Sequence, residues 1–359
     1  MTVDKGAFVI SLDLELLWGV RDRRTAAQYG AHILGVRQVV PRLLDLFEAH
    51  AVGCTWATVG FLFFEDRDEL LAHLPDLRPD YRDPRLSPYP DIEKIGPNER
   101  KDPYHFGLSL LRQVMAAPRQ EVATHTFSHY YCLEPGQTIG AFRADLEAAR
   151  RAAARLGVTL KSLVFPRNQC NDAYLDVCRE AGLACFRGNP GSWPYRAAAT
   201  GESSVKRACR LADSYVSLSG RNLATPTIER AGLINIPASF FLRPFSSSLR
   251  RLEGMRIRRI TQAMEAAARD GAVFHLWWHP HNFGADQDDN FLVLERILAT
   301  FARLRDRFGW RSATMRDVAA GLTADSAPRC SSRSDTSKTG VLRRVRELSV
   351  AMSRGRVGI

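Results

Sequence analysis

The stretch Glu121-Val-Ala-Thr-His125-Thr-Phe-Ser-His129 governs the reading of this chain. It opens as a short strand-like run, 121–124, and passes directly into two histidines four residues apart. On a helical first turn, positions i and i+4 share a face, so both imidazoles would point at one spot. Upstream, a second strand-like run, 7–12, leads into Asp13-Leu-Glu15, two acids two residues apart. On a strand, i and i+2 share a face. Together the pairs supply a mixed histidine and carboxylate metal site with a spare acid beside it. A His-x-x-x-His pair alone carries little. Two carboxylates at the end of an apolar strand carry more, because burying them without partners costs several kcal/mol. An enzyme is the expectation, with a structural ion-pair network to Arg167 as the competing reading of the acids.

Working outward, apolar runs alternate with helical patterns. Residues 7–12, 55–60, 121–124, 162–165, 183–186, 233–236, 273–277 and 311–314 read as strands. Residues 36–48, 138–156, 172–180 and 292–307 read as helices. The clearest is 138–156, where Phe142, Leu146, Ala149, Ala153 and Leu156 recur at helical spacing. Repeated strand–helix units indicate parallel α/β architecture. Two stretches interrupt it. Residues 66–105 hold too much proline for a long helix, and 189–227 are similarly irregular. Both exceed ordinary connections and read as insertions, either substrate loops or plain surface excursions. Residues 1–325 are expected to form a single domain and 326–359 a basic flexible or amphipathic tail.

The formal net charge of +11 is uneven: residues 330–359 hold seven Lys/Arg against two Asp/Glu, leaving +6 for the rest. Within the tail, Val341, Leu342, Val345, Leu348 and Met352 fall on one side of a helix with arginines opposite. That pattern reads as a terminal helix, with peripheral contact to an anionic membrane as the functional alternative. No nucleic-acid partner is expected, since neither finger spacing nor an aromatic–basic stripe is present. No apolar stretch approaches the roughly 20 residues that span a bilayer. The first residues resemble no hydrophobic export segment. A cytoplasmic location, with the inner face of the membrane as a docking place, is therefore expected. The seven cysteines (54, 132, 170, 178, 185, 209 and 330) form no CxxC pair and read as reduced packing thiols. Nothing in the sequence sets an oligomeric state.

In the order of these features the chain resembles the polysaccharide deacetylase family, the NodB-homology or carbohydrate esterase family 4 group. That family carries a catalytic base and a metal-binding acid on an early strand, followed by His-Ser/Thr-x-x-His. An Arg-Pro-aromatic motif comes later, and a near-terminal strand ends in a catalytic histidine. Here Asp13 and Glu15 stand at the first motif and His125-Thr-Phe-Ser-His129 at the second. Phe165-Pro-Arg-Asn-Gln169 stands at the third and Trp277-Trp-His-Pro-His281 at the last. The matches run from residue 8 to about 284, and the tail is outside them. The chain departs from the pattern in three places: Asp-Leu-Glu replaces adjacent aspartates, Pro166 precedes Arg167, and the last motif offers two histidines. The resemblance implies a distorted (β/α) barrel of the NodB-homology type with long insertions, in a divergent, cytoplasmic-type member.

It also implies roles. Glu15, His125 and His129 would hold one divalent metal ion, zinc by expectation, with cobalt, nickel or manganese as alternatives. Such an ion polarises an amide carbonyl and acidifies a water. Asp13 would accept that water's proton, and His279 or His281 would protonate the departing amine. Arg167 would orient Asp13 or hold it ionised. The implied substrate is an N-acylated sugar that loses an N-acetyl or N-formyl group. Without an export segment, a nucleotide-linked or lipid-linked sugar of bacterial surface polysaccharide or glycoconjugate assembly is expected. Hydrolysis of a non-sugar linear or cyclic amide is the nearest alternative, and a non-catalytic carbohydrate-binding protein on the same fold is another.

Overall fold

The computed structural model describes residues 6–199, 203–223 and 225–326. The chain divides into two compact units, 1–322 and 323–359. The expected tail, 326–359, lies outside the described residues but for its first position. Among the described residues no helix is long and apolar enough to cross a membrane.

The sheet is organised around β1, Ala7–Leu14. All eight of its residues are buried, as expected of a strand covered on both faces. The others are β2 Cys54–Thr58, β3 Gln120–Thr124, β4 Ser162–Val164, β5 Cys185–Arg187, β6 Thr227–Ile228, β7 Ile234–Asn235, β8 Phe240–Phe241, β9 Val273–Trp278 and β10 Arg311–Ser312. In space they run β6-β7-β5-β4-β3-β2-β1-β9-β8, with β10 against β1. Every pairing is parallel except β6 with β7. The sheet curls on itself: β7 and β8 stand near opposite ends of this order, yet only residues 236–239 separate them. Ile236 N donates to Phe186 O at 2.9 Å and Ala238 N to Gly188 O at 2.9 Å, on the β5 side. One residue later, Ser239 N donates to His275 O at 2.8 Å, on the β9 side. This single segment closes the distorted barrel that the sequence leads one to expect.

The helices are α1 Ala26–Ala49, α2 Arg67–Ala72, α3 Tyr89–Ile92, α4 Leu108–Ala116, α5 Ile139–Arg155, α6 Leu175–Glu180, α7 Ser204–Asp213, α8 Glu253–Asp270, α9 Gln287–Phe308 and α10 Met315–Ser326. α5 buries Phe142, Leu146, Ala149 and Ala153, the face its periodicity predicts, and starts at a Thr138 cap that accepts from Ala141 N. α1 begins ten residues before the expected 36, because Thr25 and Gln28 close a capping box there. α8 matches no expected helix. Its buried face includes Arg256 and Arg259, which dilute the apolar period.

The 66–105 insertion forms no long helix and is tied down instead. Arg21 reaches Asp91 at 2.6 Å and the carbonyls of Arg85 and Ser87 at 2.8 Å. Trp18 Nε1 donates to His105 O at 2.8 Å. The 189–227 insertion carries α7 and forms one wall of the cavity described below. The six described cysteines are free thiols, four of them buried.

Candidate active site

Four strand ends deliver the site. Asp13 is the penultimate residue of β1, and Glu15 follows its end. His125 follows β3, Arg187 ends β5 and His279 follows β9. In parallel sheets these carboxyl ends lie at one edge, where α/β folds place their chemistry.

Glu15, His125 and His129 offer ligand atoms that all lie within 4.8 Å of one another, and all three are buried. Glu15 Oε2 is 3.4 Å from His125 Nε2 and 3.1 Å from His129 Nε2. His125 Nδ1 lies 2.8 Å from the Val164 carbonyl, which can only accept. Nδ1 therefore carries a proton, and Nε2 is the nitrogen turned toward Glu15. His129 Nδ1 faces Tyr131 Oη at 3.1 Å. Burial pushes the His129 pKa down to about 4 despite Glu15, which keeps the ring neutral. Burial alone would raise the Glu15 carboxyl. The charge of His279 and hydrogen bonds from His125 and His129 outweigh it, holding Glu15 well below the usual range. Two imidazole nitrogens and one carboxylate fit a borderline divalent cation.

The histidines do not converge by the helical turn that their spacing suggests. Residues 125–129 form a loop in which Thr126 (φ 62°) and His129 (φ 58°) are left-handed, a conformation that costs roughly 1–2 kcal/mol per residue. Buried Asp145 on α5 holds it, accepting from Phe127 N at 2.7 Å, from Ser128 N at 3.1 Å and from the Ser128 hydroxyl. Thr126 Oγ1 accepts from Tyr130 N at 2.7 Å.

Asp13 is held by an arginine, but Arg167 is not the one. Arg187 makes a two-pronged pair with it, Nη1 to Oδ1 at 2.8 Å and Nη2 to Oδ2 at 2.7 Å, with neither side chain exposed beyond 3%. Arg187 also donates to Ser11 Oγ at 2.9 Å and Asn168 Oδ1 at 3.0 Å, and lies over the Trp277 ring. Burial favours the neutral form of Asp13. The charges of Arg187, His125 and His279 overcome it and keep the carboxyl below its ordinary value. Arg167 instead pairs with Asp22 and lies over the Tyr131 ring, 4.3 Å from its centroid. It leaves β4 through a left-handed turn (φ 54°) that carries it to the cavity rim, away from Asp13.

His279 and His281 stack, centroids 4.9 Å apart. His279 Nε2 is 3.7 Å from Asp13 Oδ2 and 3.6 Å from Glu15 Oε1, and its side chain is 22% exposed. Its Nδ1 lies 3.1 Å from Asn282 Oδ1. His281 is buried, with Nδ1 3.9 Å from Glu15 Oε1, and burial pushes its pKa down to about 3. Beside His279 opens a cavity of about 470 Å³, bounded by Arg167, Asn168, Tyr195, Trp277 and His279 among others.

Solved structures share this architecture. A Mycobacterium smegmatis protein described as a polysaccharide deacetylase superposes over 90% of this chain and 92% of its own, with TM-score 0.58 and 16% identity. One from Pseudomonas aeruginosa PAO1, described likewise, does so over 90% and 92%, with TM-score 0.56 and 12% identity. The fold is that of the polysaccharide deacetylases. The Puue allantoinase shares it as well, over 90% and 91%, with TM-score 0.55 and 12% identity. No family model and no curated protein matches the chain.

On this deacetylase fold, three residues that motif spacing does not reveal complete the site. Arg187 is the first; its signal is a charge ending the apolar run Leu183-Ala-Cys-Phe, the same anomaly that exposes Asp13. Gly19 is the second: a Cβ there would stand 1.9–2.3 Å from the Glu15 carboxyl atoms, so the carboxylate occupies the space a side chain would fill. His275 is the third. Its Nε2 meets Ser11 Oγ at 2.8 Å, behind the hydroxyl that Arg187 also touches. His105, by contrast, is engaged structurally, with Nδ1 2.8 Å from Asp102 Oδ2.

Proposed function

We propose that the protein is a metal-dependent amide hydrolase that removes an N-acetyl or N-formyl group from a nucleotide-linked or lipid-linked sugar, in surface polysaccharide or glycoconjugate assembly. The carrying observation is the convergence of Glu15, His125 and His129, with ligand atoms within 4.8 Å of one another, beside an Asp13 that Arg187 holds ionised. A divalent ion on those three side chains, zinc first with cobalt, nickel or manganese as alternatives, supplies Lewis acidity toward an amide carbonyl and acidifies a water. Asp13 accepts the proton as general base; both its oxygens already receive Arg187, so it is oriented before substrate arrives. His279 is the general acid: it faces the cavity, whereas His281 is buried beneath it. Arg167, on the cavity rim, contacts substrate.

The test is acid release from a panel of N-acetyl and N-formyl amino sugars, free, nucleotide-linked and lipid-linked, with elemental analysis of the same preparations. About one divalent ion per chain is expected, lost in a folded His125→Ala/His129→Ala variant together with activity. No release from any sugar by metal-loaded protein would sink the reading. The shared fold of the Puue allantoinase favours one alternative, a cyclic amide, so allantoin belongs in the panel.

A further inference from the structure

The cavity beside His279 has a property that amide hydrolysis does not require. Arg23, Arg167, Arg196, Arg210 and Arg243 all line it, and among the described residues no Asp or Glu does. The whole chain carries 50 Lys/Arg against 39 Asp/Glu, so composition alone does not produce such a wall. Acids stand behind it. Asp22 pairs with Arg167 and lies 3.6 Å from Arg23 Nε. Glu134 is reached through Gln169 Nε2 at 2.7 Å. Asp213 accepts from Tyr195 Oη at 2.7 Å and from Arg259 at 2.8 Å, which ties the 189–227 insertion to α8.

We infer that this cavity binds a phosphoryl group carried by the substrate, with Arg243, Arg196 and Arg167 as its recognition residues. The inference rests on the amide-hydrolase reading only for what occupies the other end of the ligand. His279 and Trp277 line the same cavity, so a sugar whose amide lies at Glu15, His125 and His129 extends its remainder among the arginines. About 470 Å³ falls in the range of small-molecule sites. Several guanidinium forks exceed what the two oxygens of one carboxylate can accept, and they match phosphate oxygens. Arg243 is the central group. It is partly buried, its Nε donates to Ser214 Oγ at 3.0 Å, and among the described residues it has no carboxylate partner. Burial depresses its pKa and the nearby Arg210 and Arg256 add to this, a repulsion that an anion relieves. Arg196 is exposed at the mouth and belongs to the insertion, which makes that insertion the part that selects the substrate. Asn168, Phe240 and Trp277 complete a mixed polar and aromatic lining suited to a sugar phosphate.

The phosphoryl group comes from a nucleoside diphosphate or from a lipid phosphate, and titration calorimetry on the full chain separates them. The probes are α-glucose 1-phosphate, uridine diphosphate and octyl phosphate, with glucose as the uncharged reference. None carries an N-acylated sugar, so a failure here leaves the hydrolase reading standing, and a failed hydrolysis leaves this site standing. At least one phosphorylated probe is expected to bind tenfold or more tightly than glucose. Arg243→Gln should weaken that binding about tenfold or more. Arg221→Gln, in the separate basic cleft beside α8, should not change it. Tightest binding of uridine diphosphate assigns a nucleotide carrier, and tightest binding of octyl phosphate a lipid one. If Arg243→Gln does not fold by circular dichroism, the exposed Arg196→Gln carries the same comparison. Phosphorylated probes no tighter than glucose, or equal losses in the Arg243 and Arg221 variants, would overturn the proposal.

Discussion

Replacing Arg187 by Gln tests the electrostatic centre of the site. The guanidinium is fully buried and makes four hydrogen bonds, two to Asp13 and one each to Ser11 and Asn168. Without it a carboxylate remains buried and without its cation. Losing one partner of a buried pair costs about 3–5 kcal/mol, most of it the desolvation of the charge left behind. Removing both charges, in Asp13→Asn/Arg187→Gln, lifts that penalty, so the cycle should show coupling of about 2–3 kcal/mol. Urea unfolding of the four proteins measures it. A pH signature accompanies it. The folded Asp13 carboxyl lies below its ordinary 3.8, so its contribution is present above that value and lost as pH falls through the lowered one. In Arg187→Gln burial acts with less opposition and the carboxyl rises. The acid limb of kcat/KM should therefore move to higher pH. Single-variant costs that add within about 0.5 kcal/mol, together with an unmoved acid limb, would refute the account.

Gly19→Ala places a methyl 1.9–2.3 Å from the Glu15 carboxyl atoms and must swing them off the histidines. Divalent-metal affinity, read by competition with a chromogenic chelator, is expected to fall about 10- to 100-fold with little change in the urea midpoint; undiminished affinity would place Glu15 outside the ligand set. His275 is pushed down to about 3 by burial, with Arg187 adding to it. Its folded pKa lies below the unfolded 6.5, so its contribution is complete above pH 6.5 and is lost as pH falls toward 3, by at most about 1.4 kcal/mol per unit. His275→Gln should accordingly show a shallower fall in urea midpoint between pH 7 and 5, and curves parallel to wild type would remove His275 from this role.

The barrel was legible because its strands are short, largely apolar runs, several of them ending in a charge. Asp13 and the His125–His129 pair stand at those ends, where an apolar strand gives way to polar residues. Arg187 obeys the same logic, one residue beyond the end expected for the strand at 183–186. The third motif misled for a geometric reason: the left-handed turn at Arg167 and Asn168 redirects the first of these to Asp22, while Asn168 meets Arg187. The convergence of His125 and His129 was anticipated, but not its means, since a caging carboxylate on α5 leaves no trace in local spacing. Gly19 is illegible for a deeper reason. It matters through the side chain it lacks, and what fills that space comes from the fold.

The placement of β1 bears on how the chain is made. Ala7 pairs with Val273 on one edge, whereas Ile10 pairs with Cys54 on the other. Pairings so distant along the chain are slow to form. At about 5–20 residues per second, synthesis leaves the β9 edge of β1 open for roughly 13–52 s before β9 exists. A largely apolar strand waiting that long invites pairing with a neighbouring chain. Asp13 and Glu15, whose later neighbours include Arg187 and His279, keep that nascent edge charged. The two carboxylates of the finished site are thus also the charges that interrupt an apolar strand whose last partner is made late.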